Sequence, residues 1–101
     1  MKRKFNEEHL RGRGFKTNIF LSDEENTVLT KRYIVYRTRE FACFDAEINI
    51  NITNQRYRIN VFDHGTRAYY AAWYLQDRNN DVVKRINKEI SNIIQNISEV
   101  W

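Results

Sequence analysis

The side chains best suited to acid–base chemistry in this chain are two histidines, His9 and His64. His64 directly follows Asp63, and a histidine that works with a second titratable group is a common general acid–base arrangement, for example in RNA cleavage. However, the pair stands just before Gly65, in a sequence typical of a turn, where aspartate serves local hydrogen bonding. The chain also has no glycine-rich phosphate loop, no HExxH motif and no carboxylates at metal-ligand spacing. We therefore expect no catalytic residue, no metal ligand and no cofactor, and a protein that is not an enzyme.

A run of polar side chains in the middle of the chain is suited to binding nucleic acid. Two adjacent predicted strands carry arginine or asparagine at alternate positions, so these side chains share one face: Asn49, Asn51, Arg56, Arg58 and Asn60. Arginine and asparagine pair with guanine and adenine edges, and a β-ribbon fits the major groove of DNA. Basic residues of the preceding strand join this face if Ile34 and Tyr36 point away from it. The predicted nucleic-acid-binding residues are Lys31, Arg37, Arg39, Arg56, Arg58 and Asn60.

The charge balance supports this interpretation only mildly. The formal net charge of +4 and the pI near 9.4 favour a polyanionic partner. Asp45 and Glu47 lie near the same face and would repel phosphate. A solvated polar surface, which antiparallel sheets commonly have, is the simpler alternative and stays open.

An aromatic cluster forms the third candidate site. On a helix, its four rings cover more than one face, so some must be exposed or covered by a partner. Tyrosine and tryptophan are the usual anchors of protein interfaces, and they also stack on nucleobases. Packing against the core is the structural alternative. The predicted partner-binding residues are Tyr69, Tyr70, Trp73 and Tyr74.

Length and composition indicate one ordinary globular domain. The 101 residues, 42% of them hydrophobic and 30% charged, are enough for one small core. The single cysteine, Cys43, excludes an internal disulfide and a cysteine zinc site, and favours a reducing cytoplasm. The basic N-terminus lacks the apolar core of a secretory signal. No apolar run reaches the roughly 18 residues of a transmembrane helix, so we expect no membrane partner.

Four segments carry the alternating apolar pattern of strands: residues 15–21, 29–38, 41–53 and 56–62. In the clearest of them, Ile48, Ile50 and Ile52 point to one side and face the alternate apolar residues of the return strand across a short connection at Asn54 and Gln55. The acidic residues 22–26 indicate a loop. Residues 1–14 are predicted to form a flexible basic arm, with room for a helical turn over residues 6–10, and residues 15–101 to form one domain.

Two helices are predicted after the sheet. After a Thr66 cap, apolar residues recur at helical spacing and share one face, whose small alanines are expected to let the helix pack close to the sheet: Ala68, Ala71, Ala72 and Leu75. The last helix is amphipathic, with Asp81 as a plausible cap. Its apolar stripe consists of Ile86, Ile90, Ile93 and Ile97. That stripe either completes the core or pairs with a second copy, so a homodimer through it is an open alternative.

Three short stretches, FDAEINI, QRYRINVFD and TRAYYAAWY, resemble the plant-type AP2/ERF DNA-binding domain and phage integrase arm-binding domains over about residues 30–78. In those families three antiparallel strands end in a phenylalanine–aspartate pair, which precedes a helix whose alanines pack on the sheet. The matching residues are Ala46, Glu47, Ile48, Phe62, Asp63, Ala68, Ala71 and Ala72. The families' glycine-rich opening and the Leu-Gly before the Phe-Asp pair are missing. By position, the resemblance implies DNA reading by Arg37, Arg39, Arg56 and Arg58.

The patterns together predict an α+β domain, with an antiparallel sheet of three to four strands followed by two C-terminal helices packed on one face. The first functional hypothesis is a non-enzymatic DNA-binding or regulatory module that uses the outer face of the sheet. The second is a small phage-type protein of a mobile element that binds and inhibits a host protein through its aromatic surface.

Overall fold

The computed structural model describes residues 3–39 and 42–100. Its centre is a four-stranded antiparallel sheet whose strands lie side by side in chain order. The strands span Lys16–Thr17 (β2), Val28–Arg37 (β3), Cys43–Asn51 (β4) and Arg56–Asp63 (β5). Helices follow the sheet, so the predicted α+β arrangement is confirmed. The predicted strand over residues 41–53 begins at a residue outside the described ranges.

The β4–β5 hairpin has the register that its isoleucine pattern predicts. Ile48 lies opposite Ile59, and Ile50 lies opposite Tyr57. Ile48 and Ile50 are fully buried, because their face of the sheet, here called the core face, meets the last helix. A shift of one residue would turn every isoleucine of the strand towards water, so this pattern fixes the register strongly.

Strand β3 contains an irregularity that the alternation in the sequence does not reveal. Ile34 pairs with Asp45 and Tyr36 pairs with Phe44, so Val35 is an extra residue between them. Both Val35 and Tyr36 pack towards the core, whereas Ile34 is 48% exposed on the opposite, outer face. The expectation that Ile34 and Tyr36 share a face is therefore wrong, because a β-bulge reverses the alternation between them.

The predicted strand over residues 15–21 is shorter in the structure. Only Lys16–Thr17 pairs with β3, and Phe15 is buried just before it. Asn18 ends the strand, because its side-chain oxygen accepts hydrogen bonds from the amides of Phe20 and Leu21, at 3.0 and 3.1 Å. The apolar residues after Asn18 are consequently exposed, and Phe20 is 92% accessible.

The last helix, α3, spans Asp81–Ile97 and covers the core face of the sheet. Its cap is Asn80 rather than the predicted Asp81, because the Asn80 side chain accepts from two amides of the first turn. The residues of α3 that are buried against the sheet are Val83, Ile86, Ile90, Ile94 and Ile97. The isoleucine stripe thus completes the core of the single chain.

The N-terminal segment also joins the core. A short strand, β1 (Arg3–Lys4), pairs with β6 (Glu99–Val100), which follows α3. Helix α1 (Glu7–Gly12) is capped by the Asn6 side chain, as the predicted helical turn requires. Phe5 and Leu10, from the segment predicted to form a basic arm, are 3% and 0% exposed.

The helix predicted from Arg67 is much shorter than its alanine spacing indicates. Helix α2 comprises only Ala71–Leu75, buries no residue, and leaves Leu75 79% exposed. The physical reason is the unpaired edge of β5. The backbone at Ala68 and Tyr70 hydrogen-bonds to Asp63 and Val61 at 2.8 and 3.0 Å, so residues 68–70 extend along that edge instead of coiling.

Within the described residues, no helix has the length and apolar character needed to cross a membrane.

Candidate nucleic-acid interface

The outer face of the sheet, opposite α3, collects the predicted polar side chains of the hairpin. Arg56 lies opposite Asn51, Arg58 opposite Asn49, and Asn60 opposite Glu47. Both arginines are exposed. They are two residues apart on β5, the edge strand of the sheet. This places their Cα atoms roughly 7 Å apart, close to the separation of successive phosphates along a nucleic-acid strand.

A hydrogen-bond network fixes the middle of this face. Asn18 donates to the Thr30 hydroxyl at 3.1 Å, and that hydroxyl donates to the Asn49 side chain at 2.6 Å. Asn49 in turn donates to Glu47 at 3.2 Å and is only 5% exposed. Asn49 therefore organises the sheet surface and is not available to read a base.

Arg32 is a basic residue of the outer face that the sequence did not single out. Its guanidinium lies 3.5 Å from the Glu47 carboxylate and 4.7 Å from the centre of the Phe62 ring. The ion pair and the cation–π contact hold the side chain flat on the sheet. They also offset the negative charge of Glu47, which would otherwise repel phosphate. Arg32 could have been placed on this face only if the bulge after it had been known, and the alternation in the sequence does not reveal that bulge.

A groove of about 460 Å³ follows the hairpin across this face. It lies between the loop after β2 and strand β5. Its lining residues include Leu21, Asn51, Asn54, Arg56, Arg58 and Asn60. The groove therefore combines two guanidinium groups with side-chain amides, which are the donors that bind phosphates and base edges.

The six predicted nucleic-acid-binding residues fall into two groups. Arg56, Arg58 and Asn60 lie together on the outer face. Lys31 does not join them: it pairs with Ile48 on the core side, donates to the Arg13 carbonyl and lies 4.7 Å from the centre of the Tyr33 ring. The bulge explains why its predicted orientation is wrong.

Two further predicted residues, Arg37 and Arg39, are exposed at the far end of β3 and in the loop after it. Arg37 lines a depression together with Arg85 and Lys88 of α3. That depression is separate from the groove over the hairpin, since the two share no lining residue.

The four predicted partner-binding aromatic residues also divide. Tyr70 stacks on Phe44 with 4.1 Å between ring centres, and the Trp73 indole donates to Asn87 at 2.8 Å, so both are half-buried structural residues. Tyr69 and Tyr74 remain accessible, at 69% and 44% exposure. Their rings meet edge-on, with centres 5.6 Å apart.

The two exposed tyrosines form an apolar pocket at the edge of the outer face. The pocket, about 440 Å³ in volume, is lined by Asn60, Tyr69, Ala71, Tyr74 and Leu75. The Tyr74 hydroxyl accepts from the Val61 amide at 3.1 Å and donates to Asn60 at 3.3 Å. Partial burial raises the pKa of Tyr74 above its ordinary value.

His64 does not pair with its sequence neighbour Asp63. Its Nδ1 atom lies 2.9 Å from both carboxylate oxygens of Asp45, which is only 5% exposed. Asp63 instead accepts from the amides of Thr66 and Gly65, each at 2.9 Å, and these bonds hold the pKa of its carboxyl below the ordinary value. The turn interpretation of Asp63 is thus correct, whereas the contact of His64 with a residue 19 positions away was missed.

Comparison of the chain with known protein families, with curated proteins and with solved structures yields no match in any of the three. The resemblance to AP2/ERF and integrase arm-binding domains therefore stays a prediction.

Proposed function

We propose that this chain is a non-enzymatic DNA-binding or regulatory module that contacts its target with the outer face of the sheet. One observation carries the proposal. On the edge strand β5, Arg56 and Arg58 lie opposite Asn51 and Asn49 of β4, next to an open groove. The planar guanidinium of arginine binds phosphate in a bidentate manner, and arginine also pairs with the edge of guanine. The half-buried, unpaired Cys43 fits a protein of the reducing cytoplasm.

The two acidic side chains that argued against phosphate binding are both engaged. Glu47 faces the guanidinium of Arg32, and the buried carboxylate of Asp45 is bound to His64. The Arg32 guanidinium at contact distance reduces the field that the Glu47 carboxylate presents to solvent, and Asp45 is itself only 5% exposed. The groove residues Arg56 and Arg58 therefore dominate the electrostatics of the outer face.

The test is a fluorescence-anisotropy titration of a short labelled DNA duplex at several salt concentrations, with a double variant, Arg56→Ala and Arg58→Ala. Each phosphate contact contributes about 0.9 to the slope of log affinity against log salt, so the double variant should lower that slope by about 1.8. At low salt, affinity should fall accordingly. Between about 50 and 200 mM salt, the wild type should lose about tenfold more affinity than the double variant.

The matched control is a second double variant, Lys84→Ala and Lys88→Ala. It also removes two positive charges, but from α3, which covers the opposite face of the sheet. Its salt slope should equal that of the wild type. Equal losses in both double variants would show that net charge rather than the outer face determines binding. Either that result or an absence of DNA binding at low salt would refute the proposal.

A second function, inhibition of a host protein by a phage-type protein, is favoured by the apolar pocket at the edge of the sheet. Tyr69 and Leu75 are 69% and 79% exposed there, and contiguous exposed apolar patches mark interaction sites in which tyrosine is a common anchor. This function predicts a salt-tolerant protein partner whose binding is lost in Tyr69→Ala but kept in Arg56→Ala. A homodimer through the isoleucine stripe is not proposed, because Ile86 and Ile97 are buried within the chain.

A further inference from the structure

Three side chains of different chemistry converge at the end of the hairpin that lies farthest from its turn. Cys43, Asp45 and His64 each offer one ligand atom, and these atoms lie within 4.8 Å of one another. Asp45 is 5% exposed, Cys43 is half-buried, and His64 is the exposed member. Sulfur, carboxylate oxygen and imidazole nitrogen are all ligands of zinc-type ions.

The fold, rather than chance flexibility, brings the three residues together. Cys43 and Asp45 are two positions apart on β4, so their side chains leave the same face of the sheet. His64 follows β5, and its amide donates to the Cys43 carbonyl at 2.9 Å. Phe44 and Asp63 are the adjacent pair of the β4–β5 ladder, and their pairing holds the two strands together at this end of the hairpin. The backbone of all three residues is thus held by hydrogen bonds.

We propose that Cys43, Asp45 and His64 form a binding site for one divalent ion of the zinc class. The ion would take the position of the hydrogen between His64 and Asp45, where nitrogen and oxygen are now 2.9 Å apart. Tetrahedral zinc with bonds of about 2.0–2.3 Å separates neighbouring ligand atoms by roughly 3.3–3.8 Å. The observed separations, between 2.9 and 4.8 Å, bracket that range, so small side-chain rotations complete the geometry.

The site differs from a structural zinc site in having three protein ligands and an open side. Asp45 and His64 line a cleft of about 280 Å³ together with Arg32, Ile34 and Arg67. Three protein ligands leave the fourth position of a tetrahedral ion for water or an anion. The expectation that a single cysteine excludes zinc holds for a site made of cysteines, but not for a mixed sulfur, oxygen and nitrogen site.

The experiment is a titration of the purified, chelator-treated full chain with cobalt(II), a coloured substitute for zinc, followed by competition with zinc. One cobalt ion per chain should bind, with the near-ultraviolet charge-transfer absorption of a cobalt–thiolate bond and the visible bands of a four-coordinate ion. Zinc should displace it. Cys43→Ser should abolish the charge-transfer absorption, and both Cys43→Ser and His64→Gln should weaken binding by at least about tenfold.

The chain supplies its own control, because His9 is the only other histidine and lies on α1. His9→Gln should bind cobalt as the wild type does. Circular dichroism of the metal-free variants verifies that each is folded, and the conservative Cys43→Ser variant carries the test if His64→Gln is not. Absence of stoichiometric binding, a cobalt spectrum without a thiolate band, or binding that survives Cys43→Ser unchanged would overturn the proposal.

Discussion

Gln55 provides the sharpest test of how the N-terminal segment is held. Its side-chain oxygen accepts from the Phe5 amide at 2.6 Å, while its side-chain nitrogen donates to the Phe5 carbonyl at 3.0 Å and the Ile52 carbonyl at 2.9 Å. The carboxamide thus pairs with the backbone of Phe5 as a neighbouring strand would. Replacing Gln55 by alanine removes all three bonds and leaves the backbone groups of a residue that is 3% exposed without these partners.

The expected cost follows from those bonds. A typical intramolecular hydrogen bond contributes about 1 kcal/mol net, so Gln55→Ala should lower the free energy of unfolding by about 3 kcal/mol. For a domain of this size, such a loss corresponds to a decrease in Tm of about 12–24 °C. Gln55 also has a φ of 64°, which glycine adopts without steric cost. Gln55→Gly should therefore be no less stable than Gln55→Ala, the reverse of the usual order.

The assay is urea and thermal unfolding followed by circular dichroism, with Gln95→Ala as the control. Gln95 is exposed on α3, so its replacement should change the unfolding free energy by less than about 0.5 kcal/mol. A decrease in unfolding free energy below about 1 kcal/mol in Gln55→Ala would refute the reasoning, because the three side-chain hydrogen bonds of Gln55 would then contribute no more than an average surface contact.

Two further predictions concern stability. Tyr74→Phe leaves the Val61 amide without its 3.1 Å acceptor and should cost about 1–3 kcal/mol in denaturant unfolding, whereas Tyr69→Phe, at an exposed ring, should cost almost nothing. A similar cost in both variants would contradict the assigned role of the Tyr74 hydroxyl. The pKa of Asp63 is lower in the folded state than its ordinary value of 3.8. Its charged form therefore stabilises the folded state at pH values above 3.8, and this contribution is lost as the pH falls through the lowered pKa. An NMR titration of the carboxyl should give a pKa below 3.8, and a value at or above 3.8 would refute it.

The sheet and the last helix were predictable because their signals are periodic and redundant. The alternation of Ile48 and Ile50 with asparagine fixes both the strand and its register, and a shift would expose the whole apolar set. The isoleucine spacing of residues 86–97 likewise defines one helix face. Each apolar residue of such a segment independently indicates the same secondary structure and the same buried face, so one atypical residue does not alter the prediction.

The errors arose where a single tertiary contact overrides a local pattern. The alanine spacing after Thr66 is helical, but the free edge of β5 binds the backbone of residues 68–70 more favourably than a first helical turn would. The bulge at Val35 reverses the faces of Lys31 and Arg32 without altering the β-propensity of the strand. Neither event leaves a periodic trace in the sequence, and the same holds for the long-range contact between Asp45 and His64.

The edge of β5 also determines how the two proposed functions can be separated by mutation. Tyr74 both lines the apolar pocket and satisfies a backbone amide of the edge strand, so a binding defect in a Tyr74 variant would combine loss of a contact with damage to the sheet. Tyr69 lines the same pocket with its ring 69% exposed, and its replacement tests the surface alone. Arg58 lines the neighbouring groove but not the pocket, so its replacement tests phosphate binding in the groove. If Tyr69→Ala and Arg58→Ala each weaken binding of the same DNA, the pocket is a stacking surface of the nucleic-acid interface; if only Arg58→Ala does, the pocket is not part of that interface and a protein partner is the function left to test there.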